Sequence, residues 1–343
     1  MGVSISDIIP RRDILISELK GRVVAIDAFN TVYQFLSSIR QPDGTPLQDD
    51  TGRVTSHLSG FFYRVINLLQ EGIKPVFVFD GEPPELKTAE IQRRKDAKKM
   101  AEQKYDKAKE DGDVESMRKY SSQFVKVTNE VIEESKELLL AMGIPVIQAP
   151  GEGEAEAACL AKSGKVWAAA SQDYDSLLYG APILIRNLTL SRRKKTPSGL
   201  YVDVNMELIE FQQVLNHLQI DRDQLICLAI LVGTDYNPGG VRGLGQKRAL
   251  EIVQKYKYPV AIFENVKKND KLEMVFDWQE IFRLFHEYEV STNGEIKFGR
   301  VDEERVKKIL LDHNFSEARI ESGLEKLRGL EESKKQKGLK DFF

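Results

Sequence analysis

The chain has 343 residues, 41% apolar and 30% charged, enough to bury a large core beneath a heavily ionised surface. No apolar run approaches the roughly 20 residues that span a bilayer, and the start MGVSISDIIPRR lacks the apolar block of a signal peptide. The net charge of −3 argues against a polyanionic partner unless the acids are gathered to hold cations; two divalent ions would turn −3 into +1.

In chain order, Met1 to Ser6 has the form of a myristoylation signal, but Ile5, Ile8 and Ile9 read as ordinary packing residues. Residues 22–26 form a β-branched run that stops at Asp27, and 75–79 form another that stops at Asp80. Helical periodicity fills 56–71 between them. From Lys87 to Lys126 both charge signs are dense and large apolar groups scarce, which predicts helices projecting from the body with a break at Gly112. A helix over 129–142 leads to a strand over 144–148, and GEGEAEAA then opens a helix carrying Glu152 and Glu154. A strand over 166–170 ends at SQDYDS with Asp173 and Asp175, and 183–186 form a further strand.

Residues 206–215, 222–232 and 246–255 read as helices, and 331–337 as a polar tether before Leu339-Lys340-Asp341-Phe342-Phe343. Cys159 and Cys227 lie in apolar strings without clustered His, so they are core residues and no zinc site or disulfide framework is expected. Strands alternating with helices predict an α/β fold, a twisted and mostly parallel sheet covered on both faces.

Asp27, Asp80, Glu152, Glu154, Asp173 and Asp175 each fall just past the carboxyl end of a predicted strand. In an open parallel sheet those ends share the ligand-binding edge. One Asp at a strand end is usually a turn former or a helix cap. Four strands delivering six acids to one edge is another matter. Asp235, in LVGTDYNPGG after an apolar helix, can close the set. Crowded carboxylates raise one another's pKa, and hard divalent cations such as Mg²⁺ or Mn²⁺ resolve the conflict. Two ions about 3.5–4 Å apart can activate a water and stabilise the departing oxygen of a phosphoryl displacement. Lys87, Arg94 and Lys98 stand at i, i+7 and i+11, along one helix face. The loop from Gly239 to Ala249 is glycine-rich and opens a helix, a geometry that admits a phosphate to free backbone N–H groups.

The strings VVAIDAFN, KPVFVFDGEPPELK, QAPGEGEAEAA, SQDYDSLLYG and LVGTDYNPGGVRGLGQKRA, in this order, closely resemble the flap endonuclease family, the structure-specific 5′ nucleases of DNA replication and repair. The resemblance runs from Gly2 to about Tyr256. It implies a 5′ nuclease fold with a helical arch (about 82–128) over the active site and a helix–two-turn–helix element. It divides the chain into one catalytic domain (1–327, with an N-terminal region 1–100 and an intermediate region 137–256) and a tail (328–343). The implied activity is cleavage at the junction of a displaced 5′ single strand and duplex, with accompanying 5′–3′ exonuclease action.

By the same resemblance Asp27, Asp80, Glu152, Glu154, Asp173, Asp175 and Asp235 hold two Mg²⁺, for which Mn²⁺ can substitute. Lys87 and Arg94 face the scissile phosphate. Gly2, Tyr33, Arg40, Arg64 and Arg186 match positions along the DNA path, with Tyr33 a stacking platform. Gly243, Gly245, Lys247 and Arg248 grip duplex backbone, with K⁺ a candidate ligand of that loop. The basic run Ser191 to Lys195 is either a further DNA contact or a solvated hairpin tip. Gln336, Leu339, Phe342 and Phe343 match the peptide that binds the sliding clamp (PCNA), three apolar anchors on one helical turn. Eukaryotic relatives continue into a basic extension whereas this sequence stops at Phe343, which implies an archaeal, cytoplasmic protein; a eukaryotic one would be nuclear. By itself the chain is expected to be a monomer. Glu82 departs from the family, where many relatives carry a basic or small residue.

Three rival readings stand beside this one. A related 5′ exonuclease or junction nuclease shares the acids. A phosphatase would use Asp173-Tyr174-Asp175 as a D-x-D nucleophile but leaves Glu152, Glu154 and the glycine loop idle. A non-catalytic scaffold between DNA and clamp needs no seven acids.

Overall fold

The computed structural model describes residues 2–41, 44–190, 193–195, 201–291 and 296–340, the side chains of 193–195, 201 and 333–340 excepted. Among the described residues nine strands occur: β1 (Arg12–Ile14), β2 (Val23–Asp27), β3 (Lys74–Phe79), β4 (Val146–Gln148), β5 (Ala168–Ala170), β6 (Ile183–Arg186), β7 (Arg193–Lys195), β8 (Tyr201–Asp203) and β9 (Met206–Glu210). Seven form one sheet in the order β1-β9-β6-β5-β2-β3-β4, while β7 and β8 pair as a separate ribbon. The run β6-β5-β2-β3-β4 is parallel, and β9 and β1 extend it antiparallel at one edge.

Side-chain alternation along these strands feeds two cores. Ala25, Val76, Val78, Ala169 and Leu184 face one, and Val24, Ile26, Phe77, Phe79, Ala168 and Ile185 face the other. Helices cover both faces: Gly153–Lys162 and Arg222–Val232 pack in the first core, Ser56–Gln70 and Asn129–Ala141 in the second. The sheet is therefore shielded from water on both sides. What it offers a ligand is the edge where the parallel strands end.

The predicted projecting segment forms the helices Thr88–Glu110 and Val114–Ser121, with Gly112 between them at φ 70°. Only Glu90, Ala101 and Ala108 of the longer helix are buried.

Two expectations need correction. Residues 206–210 are a strand rather than the first turn of a helix, which begins only at Phe211; antiparallel pairing to β6 and β1 recruits them. The polar segment from Glu331 is not an irregular tether, because the last helix runs Glu317–Lys340. Ile320, Leu324 and Leu327 anchor its first half in the core, and the strong helix formers that follow extend it. Phe342 and Phe343 lie outside the described residues, as do the side chains of Gln336 and Leu339. Among the described residues no helix is long and apolar enough to cross a membrane.

Candidate active site

Asp27 is the last residue of β2 and caps the helix Ala28–Ser38, its Oδ1 accepting the Asn30 amide at 2.9 Å. Asp80 follows β3, and its Oδ1 accepts the Gly153 amide at 2.7 Å. Glu152 caps the helix Gly153–Lys162, which carries Glu154 in its first turn. Asp173 follows β5, and Asp175 opens the short helix Asp175–Leu178. Since β5, β2, β3 and β4 are consecutive neighbours in the sheet, six acids share its carboxyl edge.

Asp235 lies in a tight loop after the helix Arg222–Val232. There Asn237 accepts from the Thr234 amide and hydroxyl at 3.0 and 2.7 Å and donates to the Ile230 carbonyl at 2.7 Å. The structure thus brings together all seven acids that the sequence singled out.

Their electrostatics confirm the crowding. Burial first, then the charges of Asp80 and Asp173, push Asp27 up to about 8. Burial, then Asp173 and Asp235, push Asp175 up to about 7. Glu154 is raised well above its ordinary range by burial and by Asp175, Asp173 and Asp27. Asp80 and Glu152 are also raised, chiefly by burial. Carboxylates so placed are short of positive charge.

Two cations on the long helix and its approach supply part of it. Lys87 Nζ donates to Glu152 Oε2 at 2.6 Å and stands 3.5 Å from Asp235 Oδ2. Arg94 donates to Asp235 Oδ1 at 2.6 Å and to Glu90 Oε1 at 2.7 Å. The other acids also receive neutral donors: the Gly2 amide on Asp173 Oδ1, the Val3 amide on Asp175 Oδ1, Asn30 Nδ2 on Asp173 Oδ2 and the Ser171 hydroxyl on Glu154 Oε1.

Among the described residues no three carboxylates stand in a ready coordination cage. The donor set nonetheless suits hard divalent cations: every candidate ligand is a carboxylate oxygen, five are raised by burial and by neighbouring like charge, and Glu152 Oε1 is buried without a partner.

The remaining predicted residues spread outward from this centre. Gly2 is inside it, close enough that a Cβ would lie 2.6 Å from Asp175 Oδ1. Tyr33 is half-exposed beneath Lys98, whose Nζ lies 5.6 Å from the ring centre. Arg40 donates to the carbonyls of Ser37 and Gly44 and so orders its own loop. Arg64 lines a cavity of about 250 Å³ with Asn67, Gln70 and Asn187. Arg186 donates to Glu207 at 2.6 Å and to the Tyr174 hydroxyl at 2.8 Å, over whose ring it lies.

Gly243, at φ 85°, and Gly245 precede the helix Gln246–Tyr256, where Lys247 and Arg248 are exposed. Glu82 donates its amide to the Pro150 carbonyl, and its side chain is exposed. Ser191 and Arg192 of the basic run lie outside the described residues.

Sequence reasoning missed four participants: Asn30, Ser171, Glu90 and Val3. Glu90 alone had a readable signal, since it precedes Arg94 by four residues on a helix.

The model of the XPG N-terminal domain matches residues 1–101 and that of the XPG I-region matches 143–235. Over all of this chain, flap endonuclease 1 of Pyrococcus furiosus is 51% identical and that of Sulfolobus acidocaldarius 49%, with 99% of each relative covered. Among solved structures, flap endonuclease-1 of Methanococcus jannaschii superposes with a TM-score of 0.77 at 42% identity, covering 97% of this chain and all of that one. The catalytic core of Rad2 in complex with a DNA substrate superposes at 0.67 with 26% identity, covering 93% and 96%.

Proposed function

The chain belongs to the flap endonuclease family, and from that membership we infer that it is a structure-specific, metal-dependent nuclease of branched DNA bearing a 5′ flap. We propose further that the metal is Mg²⁺, with Mn²⁺ able to replace it. Asp27, Asp80, Glu152, Glu154, Asp173, Asp175 and Asp235 would hold two ions, and Lys87 and Arg94 would attend the scissile phosphate. The single observation carrying this reading is the convergence of seven acids from distant parts of the chain on Lys87 and Arg94, at the foot and in the second turn of the long helix.

The bound ions would supply a nucleophilic water and stabilise the departing oxygen. The chain's own groups do the rest. Lys87 and Arg94 attract the phosphate and stabilise charge that grows on its oxygens. Glu90, accepting from Arg94 within hydrogen-bond reach, sets the direction of that guanidinium. Tyr33 offers an aromatic face on which an unpaired base can stack.

The exposed Lys247 and Arg248 at the start of the helix Gln246–Tyr256 favour a contact with duplex phosphates, where position rather than base identity is read. K⁺ at the preceding glycine loop and a sliding clamp at Gln336, Leu339, Phe342 and Phe343 complete the proposal, supported by the motifs alone. We propose that it is an archaeal, cytoplasmic monomer; the relatives from archaea support the first of these alone.

The deciding experiment is cleavage of an end-labelled 5′-flap DNA beside a nicked duplex and a four-way junction, with Mg²⁺ and with chelator. Cleavage at the flap junction, lost with chelator and lost in Asp175→Ala while DNA binding persists, is the expected result. Preference for the nick or the four-way junction would reassign the substrate, and cleavage undiminished by chelator would remove the metal reading.

A further inference from the structure

Ser171 is the first residue past β5. Parallel pairing sets Ile26 of β2 opposite Ala170 of β5, so one residue further the sheet ends with Asp27 and Ser171 side by side. The Ser171 amide donates to the Ile185 carbonyl at 3.2 Å, which fixes its backbone to β6 as well. The side chain is buried, and its Oγ lies 2.8 Å from Glu154 Oε1 and 3.3 Å from Asp27 Oδ2 while accepting the Asp173 amide at 3.2 Å. A hydroxyl offers one proton and two lone pairs. Here the proton serves the Glu154 carboxylate, with Asp27 near enough to share it, and a lone pair holds Asp173. One small group therefore touches three acids that arrive on three different elements.

Asn30 does the same from the other side. Its amide holds Asp27 Oδ1 at 2.9 Å and its Nδ2 donates to Asp173 Oδ2 at 3.1 Å. The contrast with Glu152 and Asp235 is chemical: those two are met by Lys87 and Arg94, which neutralise them, whereas Asp27 and Glu154 are met by the uncharged donors Asn30 and Ser171. An uncharged donor turns a carboxylate without cancelling its charge, so the acid stays available to a cation.

We infer that Ser171, seconded by Asn30, is a positioning residue that orients Asp27, Glu154 and Asp173 for divalent cations. This rests on the proposed two-ion reading of the site. The role requires a hydroxyl at 171, not merely a small side chain. Thr and Val are nearly isosteric, so the steric cost of the added methyl is common to both. Thr and Val then differ at this position only in the group under test.

The test is Mn²⁺ binding to the DNA-free full chain, followed by the loss of the free-ion paramagnetic resonance signal, for wild type, Ser171→Ala, Ser171→Thr, Ser171→Val and Asp175→Ala. Removing a group that orients ligands typically costs about 10–100-fold in metal affinity. Ser171→Ala and Ser171→Val should show that loss, and Ser171→Thr should bind like wild type. Val binding as tightly as Thr would overturn the inference. If the alanine and valine proteins fail to fold, Asn30→Ala tests the same brace from the helix side, and wild-type affinity there would overturn it. A different pattern marks failure of the underlying reading: wild type that takes up no Mn²⁺, or uptake unchanged in Asp175→Ala, would remove the cation site and the brace with it.

Discussion

Lys87 Nζ and Glu152 Oε2 lie 2.6 Å apart, an ion pair between the foot of the long charged helix and the cap of the helix that follows β4. Burial draws the lysine pKa down, but Glu152, Asp235 and Asp80 outweigh it and the net shift is upward. Lys87 therefore stays charged and occupies one oxygen of a carboxylate proposed to hold a cation. If Lys87 attends the scissile phosphate as proposed, substrate and Glu152 compete for the same ammonium group.

Lys87→Ala should for this reason separate two quantities that usually fall together. Losing a donor aimed at developing charge should slow single-turnover cleavage about 10²–10³-fold while leaving DNA affinity almost unchanged. Freed from its lysine, Glu152 should bind Mn²⁺ more tightly than in wild type. A protein with a normal single-turnover rate and a raised Kd for DNA would assign Lys87 to binding alone.

The raised carboxylates predict a pH dependence of definite sign. Asp27 moves from 3.8 to about 8 and Asp175 from 3.8 to about 7 in the folded protein, so the folded state holds protons that the unfolded chain releases. Without cations, the contribution of these groups to stability is fully present below about pH 4 and is lost as pH rises through about 7 to 8. A divalent ion must displace the same protons, so its affinity climbs over that window. The rise in Tm caused by Mg²⁺ should be larger near pH 8 than near pH 6, and calorimetry in two buffers of different ionisation enthalpy should detect proton release. A shift of equal size at both pH values would contradict the assignment.

The sequence made the acids legible because each follows a run that can only be a buried strand: VVAID and PVFVFD announce both the element and its end. The sheet then does the gathering, and any parallel sheet with these four strands adjacent would do it. Residues 206–210 were misread because MELIEFQQVL fits a helical period as well as alternation, and only the neighbouring β6 and β1 decide between them. β1 itself, three residues with two exposed, carries too little pattern to be seen. Ser171 and Asn30 were invisible for another reason. Serine past a strand and asparagine in a first turn are commonplace, and their meaning comes from Asp173, 143 positions from Asn30, turning toward them.

Away from the acids, Lys247 sits exposed in the first turn of the helix Gln246–Tyr256, after a glycine loop in which Gly243 holds φ 85°. If it contacts a phosphate, Lys247→Ala should weaken binding equally for all sequences and lower the slope of log K against log salt by about 1. Cleavage at saturating DNA should be unaffected. A slope identical to wild type would show that no phosphate is neutralised there.

The apolar residues at the end of the chain call for a separable role. Removing 336–343 should leave cleavage of a flap substrate unchanged and abolish stimulation by the sliding clamp. Leu339, Phe342 and Phe343, spaced to share one face of a helical turn, are the expected anchors. Stimulation that survives the truncation would move the clamp contact elsewhere on the molecule.

Gly2 gives the sharpest steric prediction. Its amide donates to Asp173 Oδ1 at 2.8 Å and the next amide, of Val3, to Asp175 Oδ1 at 2.8 Å, so the start of the chain is threaded between two acids. A Cβ at position 2 would lie 2.6 and 2.7 Å from the two Asp175 carboxylate oxygens and 2.8 Å from the Asp173 Cβ. Asp175 is buried, and the Asp173 Cβ is too close to the backbone to swing aside, so either the acids or the N-terminal segment must shift. Val3, Ile5 and Ile9 are packed in the core and resist moving that segment. Gly2→Ala should therefore displace Asp173 and Asp175, lowering turnover and Mn²⁺ affinity together at nearly unchanged Tm. Full activity in Gly2→Ala would show that this segment yields more easily than the packing of Val3 and Ile5 implies.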